Sequence, residues 1–196
     1  MAKKPGERKL QILHALAEML QEPKAEKITT AALAAKLDVS EAALYRHFAS
    51  KAQMFEGLIE FIESSLFALI NKITAEEERG TAQLRAVLAM LLGFAEKNPG
   101  MTRVLIGDAL VNEDARLQAR INQVLDKVEA ALKQCLRVAA TQTTEGESTQ
   151  DSGAEDAGAQ ANLALCYVIG RWHQFAKSGF KRLPSELFER QWPLLA

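Results

Sequence analysis

Apolar residues recur at every third or fourth position along most of the chain, and this spacing is typical of amphipathic α-helices. In residues 7–20, for example, the apolar positions fall on one face of a helix, and Pro23 follows them. Nowhere do several residues alternate cleanly between apolar and polar, as half-buried strands do. The pattern therefore predicts an all-α fold of about nine helices, three short or medium ones followed by a larger C-terminal bundle of six.

The predicted helices are bounded by the residues that usually begin and end helices in proteins. They cover residues 7–20, 29–37, 40–47 and 50–73, then 81–96, 101–110 and 113–138, and last 163–179 and 185–195. The triplet Asn98-Pro99-Gly100 is predicted to end one helix and make a turn. Residues 113–138 repeat apolar or small side chains with spacings of four and three, which favours a long core helix in an antiparallel bundle over a free-standing coiled coil.

One segment interrupts this pattern. Residues 141–160 hold five acidic residues, no basic residue and no large apolar side chain. Such a segment cannot bury enough apolar surface to offset the entropy lost on ordering. We therefore predict a flexible acidic surface loop at 141–160.

Composition sets further limits. With 48% hydrophobic and 25% charged residues, the 196-residue chain has ordinary globular composition. Cys135 and Cys166 have no metal or redox spacing, so we interpret both as small buried apolar residues. The N-terminus lacks the apolar segment of a signal peptide, and the longest uncharged apolar run, 86–95, is shorter than the ~20 residues of a membrane span. We therefore expect a cytoplasmic protein without a membrane span.

Charge is distributed unevenly although the net charge is only −1. Residues 1–51 contain nine Lys or Arg and six Asp or Glu, which leaves 15 basic and 19 acidic residues for the remainder. A basic first quarter on an acidic body favours a polyanion as the partner of that first quarter.

Two predicted helices in this basic quarter are joined by a turn of three or four residues, which is the spacing of a helix-turn-helix motif. The motif covers about residues 29–48, with Ala34 where the helices would cross and Leu33 and Leu44 facing the first helix. Small or polar residues at the start of its second helix suit entry into the DNA major groove, and hydroxyl and basic side chains around it suit phosphate contacts. The candidate DNA-binding residues are Thr29, Thr30, Ser40, Glu41, Ala42, Ala43, Tyr45, Arg46, His47 and Lys51.

Short helix-loop-helix segments are common, so the motif alone leaves open a structural role in which Tyr45 and Phe48 are core aromatics. The string ITTAALAAKLDVSEAALYRHFASKAQMF, however, closely resembles the DNA-binding domain of TetR-type repressors. The residues that match at fixed spacing are Ser40, Leu44, Tyr45, His47, Phe48, Ser50 and Lys51. Asp38 stands where that family often has Gly, and Asp tolerates a left-handed turn better than most residues. The resemblance implies a TetR-like fold, with a DNA-binding domain at 1–51 and a dimerisation and partner-binding domain at 52–196.

The resemblance continues through most of the C-terminal part, where TetR-type proteins usually diverge. The blocks MFEGLIEFIESSL, LLGFAEKNPGMTRVLIGDAL, RLQARINQVLDKVEAALKQ and FKRLPSELFERQWPLL are similar to one subfamily, the nucleoid-occlusion factors. This similarity implies a homodimer on palindromic chromosomal sites that, when DNA-bound, binds the tubulin-like cell-division protein FtsZ and inhibits division-ring assembly over the nucleoid. The FtsZ contacts expected from the matching blocks are Phe61, Met90, Gly93, Lys97 and Asn98. Phe61 is equally compatible with core packing.

A homodimer of this kind needs an interface, which we expect the last two predicted helices, 163–179 and 185–195, to supply as a four-helix contact. Its expected anchors are Leu165, Ile169, Trp172 and Trp192. Such a dimer would present two recognition helices one turn of DNA, ~34–36 Å, apart. The basic residues Lys3, Lys4, Arg8 and Lys9 are expected to add phosphate or minor-groove contacts.

Other classes of function are less well supported. The three His are scattered, and the chain has no nucleophile elbow, phosphate loop or metal-ligand spacing, so we expect no enzyme activity, metal or cofactor. The alternative that stays open is a ligand-responsive transcriptional repressor of the same fold, in which a small molecule would occupy a pocket in the C-terminal domain. For the preferred function we expect a nucleoid-associated protein without a small-molecule ligand.

Overall fold

A computed structural model describes residues 5–22, 28–143 and 152–195. Within these ranges the chain forms nine α-helices, two 3-10 helices and no strand, which confirms the predicted all-α fold. The α-helices are α1 Pro5–Met19, α2 Thr30–Lys36, α3 Glu41–Tyr45, α4 Lys51–Glu76, α5 Gly80–Lys97, α6 Pro99–Leu105, α7 Ala115–Thr143, α8 Ser152–Lys177 and α9 Phe188–Gln191. The 3-10 helices are η1 Asp108–Leu110 and η2 Trp192–Leu194.

The chain divides into two compact units. The first comprises residues 1–63 and 98–121, and the second comprises residues 64–97 and 122–196. Helices α4 and α7 are long enough to contribute one part to each unit. In the first unit the apolar faces of the short N-terminal helices are buried together with those of α4 and α6. The buried side chains of this core include Ile12, Leu16, Leu33, Leu44, Phe55, Leu58 and Val104.

Helix α6 packs closely against α1 within the first unit. A Cβ added at Gly100 would lie 1.9 Å from the carbonyl oxygen of Ala17, so only glycine permits this approach. Arg103 of α6 adds two polar contacts. It donates to the carbonyl oxygen of Leu20, just after α1, at 3.2 Å, and it pairs with Asp108 at 2.6 Å. The chain at the end of α1 is therefore held by the Arg103 side chain, which lies 83 residues from Leu20 in the sequence.

The second unit has its own core, made by the second half of α4 with α5, α7 and α8. Trp172 of α8 is fully buried, and its indole N–H donates to the carbonyl oxygen of Leu91 in α5 at 3.1 Å. A Cβ on Gly80, the first residue of α5, would lie 2.1 Å from the backbone nitrogen of Ala139, so α5 begins against the backbone of α7. Gln142 stabilises this junction by accepting from the amide of Gly80 at 2.9 Å.

The predicted helix end at Asn98-Pro99-Gly100 is confirmed, because α5 ends at Lys97, but the predicted turn is wrong, because Pro99 already begins the next helix. Pro99 occupies the first position of α6, where the missing amide would have had no helical partner, and Asn98 alone separates α5 from α6. The predicted helix 101–110 is also too long. It ends at Leu105 because Gly107 adopts a left-handed conformation, with φ of 77°, before η1 begins.

The predicted acidic loop at 141–160 is too long as well. Helix α7 continues to Thr143 and α8 begins at Ser152, while residues 144–151 lie outside the described part of the chain. Ala157 is buried, at 4% exposure, and so is the next residue after the segment, Ala161, at 0%, so small apolar side chains provide burial at the end of this segment. The loop prediction failed because it gave weight only to large apolar residues.

Smaller differences occur in α7, α9 and the cysteines. The predicted apolar face of α7 is mostly buried, but Ala131 and Val138 are only half-buried while Leu132 and Leu136 are buried, as expected when a straight 3.6-residue helix drifts from a heptad repeat. The predicted helix 185–195 is reduced to α9 and η2. Cys135 is buried as predicted, and burial raises the pKa of its thiol, but Cys166 is exposed on α8.

Candidate nucleic-acid interface

Helices α2 and α3 form the helix-turn-helix motif, and each begins with a side-chain cap. The Thr29 hydroxyl oxygen accepts from the amide of Ala32 at 3.1 Å, and that of Ser40 accepts from the amide of Ala43 at 3.3 Å. Between the helices Asp38 has a φ of 53°, which is the left-handed turn expected where TetR-type repressors often have glycine. The local sequence therefore fixes both helix starts and the turn between them.

A hydroxyl and carboxylate network connects the start of α2 with α3. Thr30 donates from its hydroxyl to a carboxylate oxygen of Glu41 at 2.5 Å, and the Tyr45 hydroxyl donates to Thr30 at 3.4 Å. All three side chains were candidate DNA-binding residues, and the structure brings them together on the outside of the motif. Their mutual contacts orient Glu41 and Tyr45 on successive turns of α3.

The remaining candidates of α3 differ in accessibility. Ala42 and Arg46 are exposed, and no carboxylate of the described residues lies within ion-pair distance of Arg46, whereas Ala43 and His47 are half-buried. Tyr45 is 44% exposed but Phe48 is buried, so the core interpretation holds for Phe48 and fails for Tyr45. Because α3 ends at Tyr45, Arg46 and His47 lie in the following turn and not in the predicted helix 40–47.

Lys51, the expected phosphate contact at the start of α4, is held in a partly buried ion pair. Its ammonium nitrogen lies 2.5 Å from a carboxylate oxygen of Glu113, and the two side chains are only 22% and 12% exposed. The same nitrogen lies 5.6 Å from the centre of the Phe55 ring. The sequence pattern carries no signal for Glu113, because 62 residues separate the partners and the packing of α4 against the start of α7 joins them.

Two basic residues of α1 lie near the motif. The Lys9 ammonium is 5.6 Å from the centre of the Phe48 ring, and Arg8 donates to the side-chain oxygen of Gln11 at 3.0 Å. Lys3 and Lys4, the other residues expected in this basic arm, lie outside the described residues.

The residues expected to contact FtsZ lie on α4, α5 and the start of α6. Phe61 is half-buried and packs edge-to-face on His14, with ring centres 5.4 Å apart, so it is neither a fully buried core residue nor a free surface residue. On α5, Met90 and Gly93 are half-buried and Lys97 is exposed. The backbone carbonyl of Asn98 accepts from both the amide and the hydroxyl of Thr102, at 2.9 and 3.0 Å, and so caps α6.

Two glycines in the interiors of described helices have no packing explanation inside the subunit. Among the described residues, a Cβ added at Gly93 of α5 or Gly170 of α8 meets no heavy atom within 4 Å beyond its own helix. Neither glycine has a positive φ. A glycine in the middle of a helix destabilises it by roughly 0.5–1 kcal/mol relative to alanine. Both glycines lie on surface that a second molecule can approach closely.

The expected dimer anchors differ in their exposure within the subunit. Leu165 and Trp172 are buried in the core of their own subunit, at 6% and 0% exposure. Ile169 is half-buried, and Trp192 is half-buried beside Phe188 with ring centres 6.1 Å apart. The exposed side of α8 instead carries Leu163, Cys166, Gly170 and His173.

Other site types were also sought in the described ranges 5–22, 28–143 and 152–195. They contain no group of three or more His, Cys, Asp or Glu side chains that could hold a metal ion. None of their helices combines the length and the apolar character needed to cross a membrane.

Comparison with known proteins identifies the family. Residues 12–58 match the family described as "Bacterial regulatory proteins, tetR family", and residues 79–196 match the SlmA-like domain described as "Tetracyclin repressor-like, C-terminal domain". Over 191 residues, or 97% of this chain and 95% of the relative, the sequence is 51% identical to nucleoid occlusion factor SlmA of Alteromonas mediterranea. The chain belongs to the SlmA family of TetR-type proteins.

Other SlmA-family relatives are similar over nearly their whole length. The nucleoid occlusion factor SlmA of Idiomarina loihiensis is 48% identical over 195 residues, which cover 100% of this chain and 96% of that protein. The factor of the same name in Escherichia coli strain K12 is 46% identical over 190 residues, which cover 96% and 93%. The similarity to TetR-type proteins and to the nucleoid-occlusion subfamily, inferred from motifs, is thereby confirmed.

Solved structures agree on the fold. The fatty acid degradation regulator FadR of Bacillus halodurans superposes with a TM-score of 0.77 over 100% of this chain and 96% of that chain, at 15% identity. FadR of Bacillus subtilis, solved in complex with stearoyl-CoA, gives a TM-score of 0.73 over 95% and 96%, also at 15% identity. At this identity the likeness confirms a TetR-like fold and carries no information on ligands.

Proposed function

We propose that this protein is a nucleoid-occlusion factor, a homodimer that binds palindromic chromosomal sites and, when DNA-bound, binds FtsZ and inhibits division-ring assembly over the nucleoid. The observation that carries this proposal is the identity of 46–51% over at least 96% of the chain to several proteins named nucleoid occlusion factor SlmA. The protein would act in the cytoplasm on the nucleoid, without catalysis and without a cofactor.

The DNA-binding role rests on the geometry of α2 and α3. Glu41, Ala42 and Ala43, in the first turn of α3, are the side chains we assign to base edges in the major groove. The hydroxyl and basic groups around them would contact phosphates, which fix the register of the motif on the duplex. The assigned phosphate contacts are Thr29, Thr30, Ser40, Tyr45, Arg46, His47 and Lys51.

The FtsZ surface that we propose includes the outer side of α5. Met90, Gly93 and Lys97 are spaced by three and four residues and so lie along one side of the helix. Gly93 has open space beside it, so the backbone of an FtsZ segment can approach α5 more closely than a larger side chain would permit. Lys97 is exposed at the end of this side and supplies a positive charge. Phe61 on α4 and Asn98 before α6 stay in the proposed set.

The dimer that we propose forms through α8 and α9, with the exposed side of α8 as its centre. Leu163 is a large apolar residue that is 53% exposed on this side. Gly170 lies two turns further along the same side with open space beside it. An apolar side chain next to a gap in a helix surface suits close packing against the same helix of a second copy.

Charge reversal at Lys97 tests the FtsZ assignment. With a specific DNA duplex present, we expect the wild-type protein to co-sediment with FtsZ and to reduce FtsZ polymer, and Lys97→Glu to lose both effects while its DNA affinity stays unchanged. Arg137→Glu, which reverses an exposed base on α7, is the matched control and should behave as the wild type. Loss of DNA binding in Lys97→Glu would point to misfolding and remove the assignment.

Mapping the chromosomal binding sites separates the two candidate functions. A nucleoid-occlusion factor should occupy many palindromic sites scattered over the chromosome. A ligand-responsive repressor should occupy a few promoters and leave them when a small molecule is added. Binding at a single operon, with no co-sedimentation of FtsZ, would overturn the proposed function.

A further inference from the structure

The ion pair between Lys51 and Glu113 opposes the phosphate contact assigned to Lys51. The ammonium and carboxylate lie 2.5 Å apart with both side chains mostly buried, so solvent and salt screen their attraction weakly. A lysine that meets a DNA phosphate must either leave its carboxylate partner or bring the phosphate next to that carboxylate. Either route costs free energy, and a lysine without a carboxylate partner would bind the phosphate without this cost.

The loop that carries Glu113 is fixed in position. It connects η1 to α7, and within it Asn112 adopts a left-handed conformation with φ of 65° while the Glu113 amide donates to the carbonyl oxygen of Leu110 at 3.0 Å. One turn further along α4, Glu56 accepts from Arg116 at 3.0 Å, so a second ion pair joins the same elements. Glu113 is therefore presented to the start of α4 by a constrained backbone and is not a mobile surface carboxylate.

We propose that Glu113 is an intramolecular competitor of the DNA phosphate for Lys51 and thereby sets the affinity of the protein for DNA. The inference rests on the proposed DNA contact of Lys51. Because phosphate contacts carry no sequence information, Glu113 lowers the affinity for specific and non-specific duplexes by the same factor. It keeps the protein from occupying random DNA tightly and leaves sequence preference to α3.

Asp114 provides a matched control one residue away. Its carboxylate pairs with Arg116 at 3.2 Å and accepts from the amide of Arg116 at 3.1 Å, and it makes no contact with Lys51. Asparagine can replace it as the residue that precedes α7 and still accept that hydrogen bond. Asp114→Asn thus removes the same unit of negative charge from the same loop without releasing Lys51.

The experiment measures the affinity of the full chain for a specific duplex and for a random duplex by fluorescence anisotropy over a range of salt concentrations. Glu113→Gln should tighten binding to both duplexes by about threefold to tenfold. Asp114→Asn should leave both affinities unchanged. Lys51→Met should weaken binding to both and reduce the slope of log affinity against log salt by about 0.9. In the Lys51→Met background, Glu113→Gln should have no effect.

Each other outcome has a distinct meaning. Equal tightening by Glu113→Gln and Asp114→Asn would show general charge repulsion and overturn the competition. Unchanged or weaker binding of Glu113→Gln, with weaker binding of Lys51→Met, would overturn it too, while Lys51 remained a DNA contact. An unaffected Lys51→Met would remove Lys51 from the interface and the competition with it. Urea unfolding checks that the variants fold, and Glu113→Asp, which keeps the charge but shortens the side chain, should tighten binding less than Glu113→Gln.

Discussion

Arg171 is the residue on which the turn after α8 depends. Its guanidinium, in a side chain only 5% exposed, donates to the carbonyl oxygens of Pro184 and Leu183, each at 2.8 Å, and to the carboxylate of Glu186 at 3.2 Å. Desolvation acts against the charged form of Glu186, but hydrogen bonds and charge from Arg171 and Arg182 outweigh it and lower the pKa of that carboxyl. A buried charge is stable here because it replaces backbone donors that the turn lacks.

Arg171→Met should therefore destabilise the protein by about 3 kcal/mol, because two carbonyl oxygens lose their donor. Urea unfolding followed by circular dichroism measures this loss. Arg182→Met is the matched control, since Arg182 is exposed and pairs with the Glu186 carboxylate at 3.2 Å. It should change the free energy of unfolding by less than about 1 kcal/mol. Equal effects of the two substitutions would contradict the assignment of the turn to Arg171.

At single positions, sequence reasoning succeeded where the cause was local. Asp38 was predicted to accept a left-handed turn because TetR-type proteins often have glycine there and Asp tolerates that conformation, and its φ of 53° agrees. Glu113 was missed, although it determines the state of Lys51, because its approach depends on the packing of α4 against the start of α7. A contact between residues 62 positions apart leaves no periodic trace in a single sequence.

Helices were predicted well where a wide apolar face defines them and less well at their ends. Proline is compatible both with the end of one helix and with the first position of the next, and at Pro99 both occur, since α5 ends at Lys97 and α6 begins at Pro99. The start of α8 was missed because the buried residues early in this helix include the alanines Ala157 and Ala161, which the prediction did not weigh. Small residues therefore occur in two environments in this chain. Ala157 is buried in the subunit, whereas Gly93 has open space beside it.

A substitution at Gly93 of α5 tests whether the open space beside this glycine is needed for FtsZ binding. Gly93→Ala should stabilise the subunit by up to about 1 kcal/mol, since its side chain meets open space and alanine favours a helix. It should also weaken FtsZ co-sedimentation at unchanged DNA affinity, because the methyl group enters the proposed contact. Gly158→Ala on α8 is the control, where the new Cβ would lie 3.4 Å from the Lys133 ammonium, an ordinary contact. It should leave FtsZ binding unchanged. Intact FtsZ binding in Gly93→Ala would remove α5 from the proposed surface.

At the scale of the whole molecule, the family and the function class were accessible from sequence because they depend on motifs. A run of matching residues at 40–51 indicated DNA binding, and four C-terminal blocks indicated the subfamily. The exposed side of α8, by contrast, does not follow from a motif. Leu165 and Leu163 are two positions apart on α8, yet one is buried in the subunit and the other is exposed. Which side of a largely apolar helix faces outward depends on the packing of every other helix.

Gly170 tests the dimer because one substitution should have opposite effects on the subunit and on the assembly. In Gly170→Leu the new Cβ lies in open space within the subunit, so the helix itself should be stabilised by roughly 1 kcal/mol. Across the proposed interface the same side chain would hold two α8 helices apart.

Sedimentation velocity should show a monomer for Gly170→Leu at concentrations where the wild type is dimeric. The exposed Cys166 thiol should also react with maleimide faster than in the wild type. Because a monomer holds only one half-site, its affinity for a palindromic duplex should fall by at least about a hundredfold, whereas binding to a single half-site should not change. A dimeric Gly170→Leu with full affinity for the palindrome would place the interface elsewhere on the subunit.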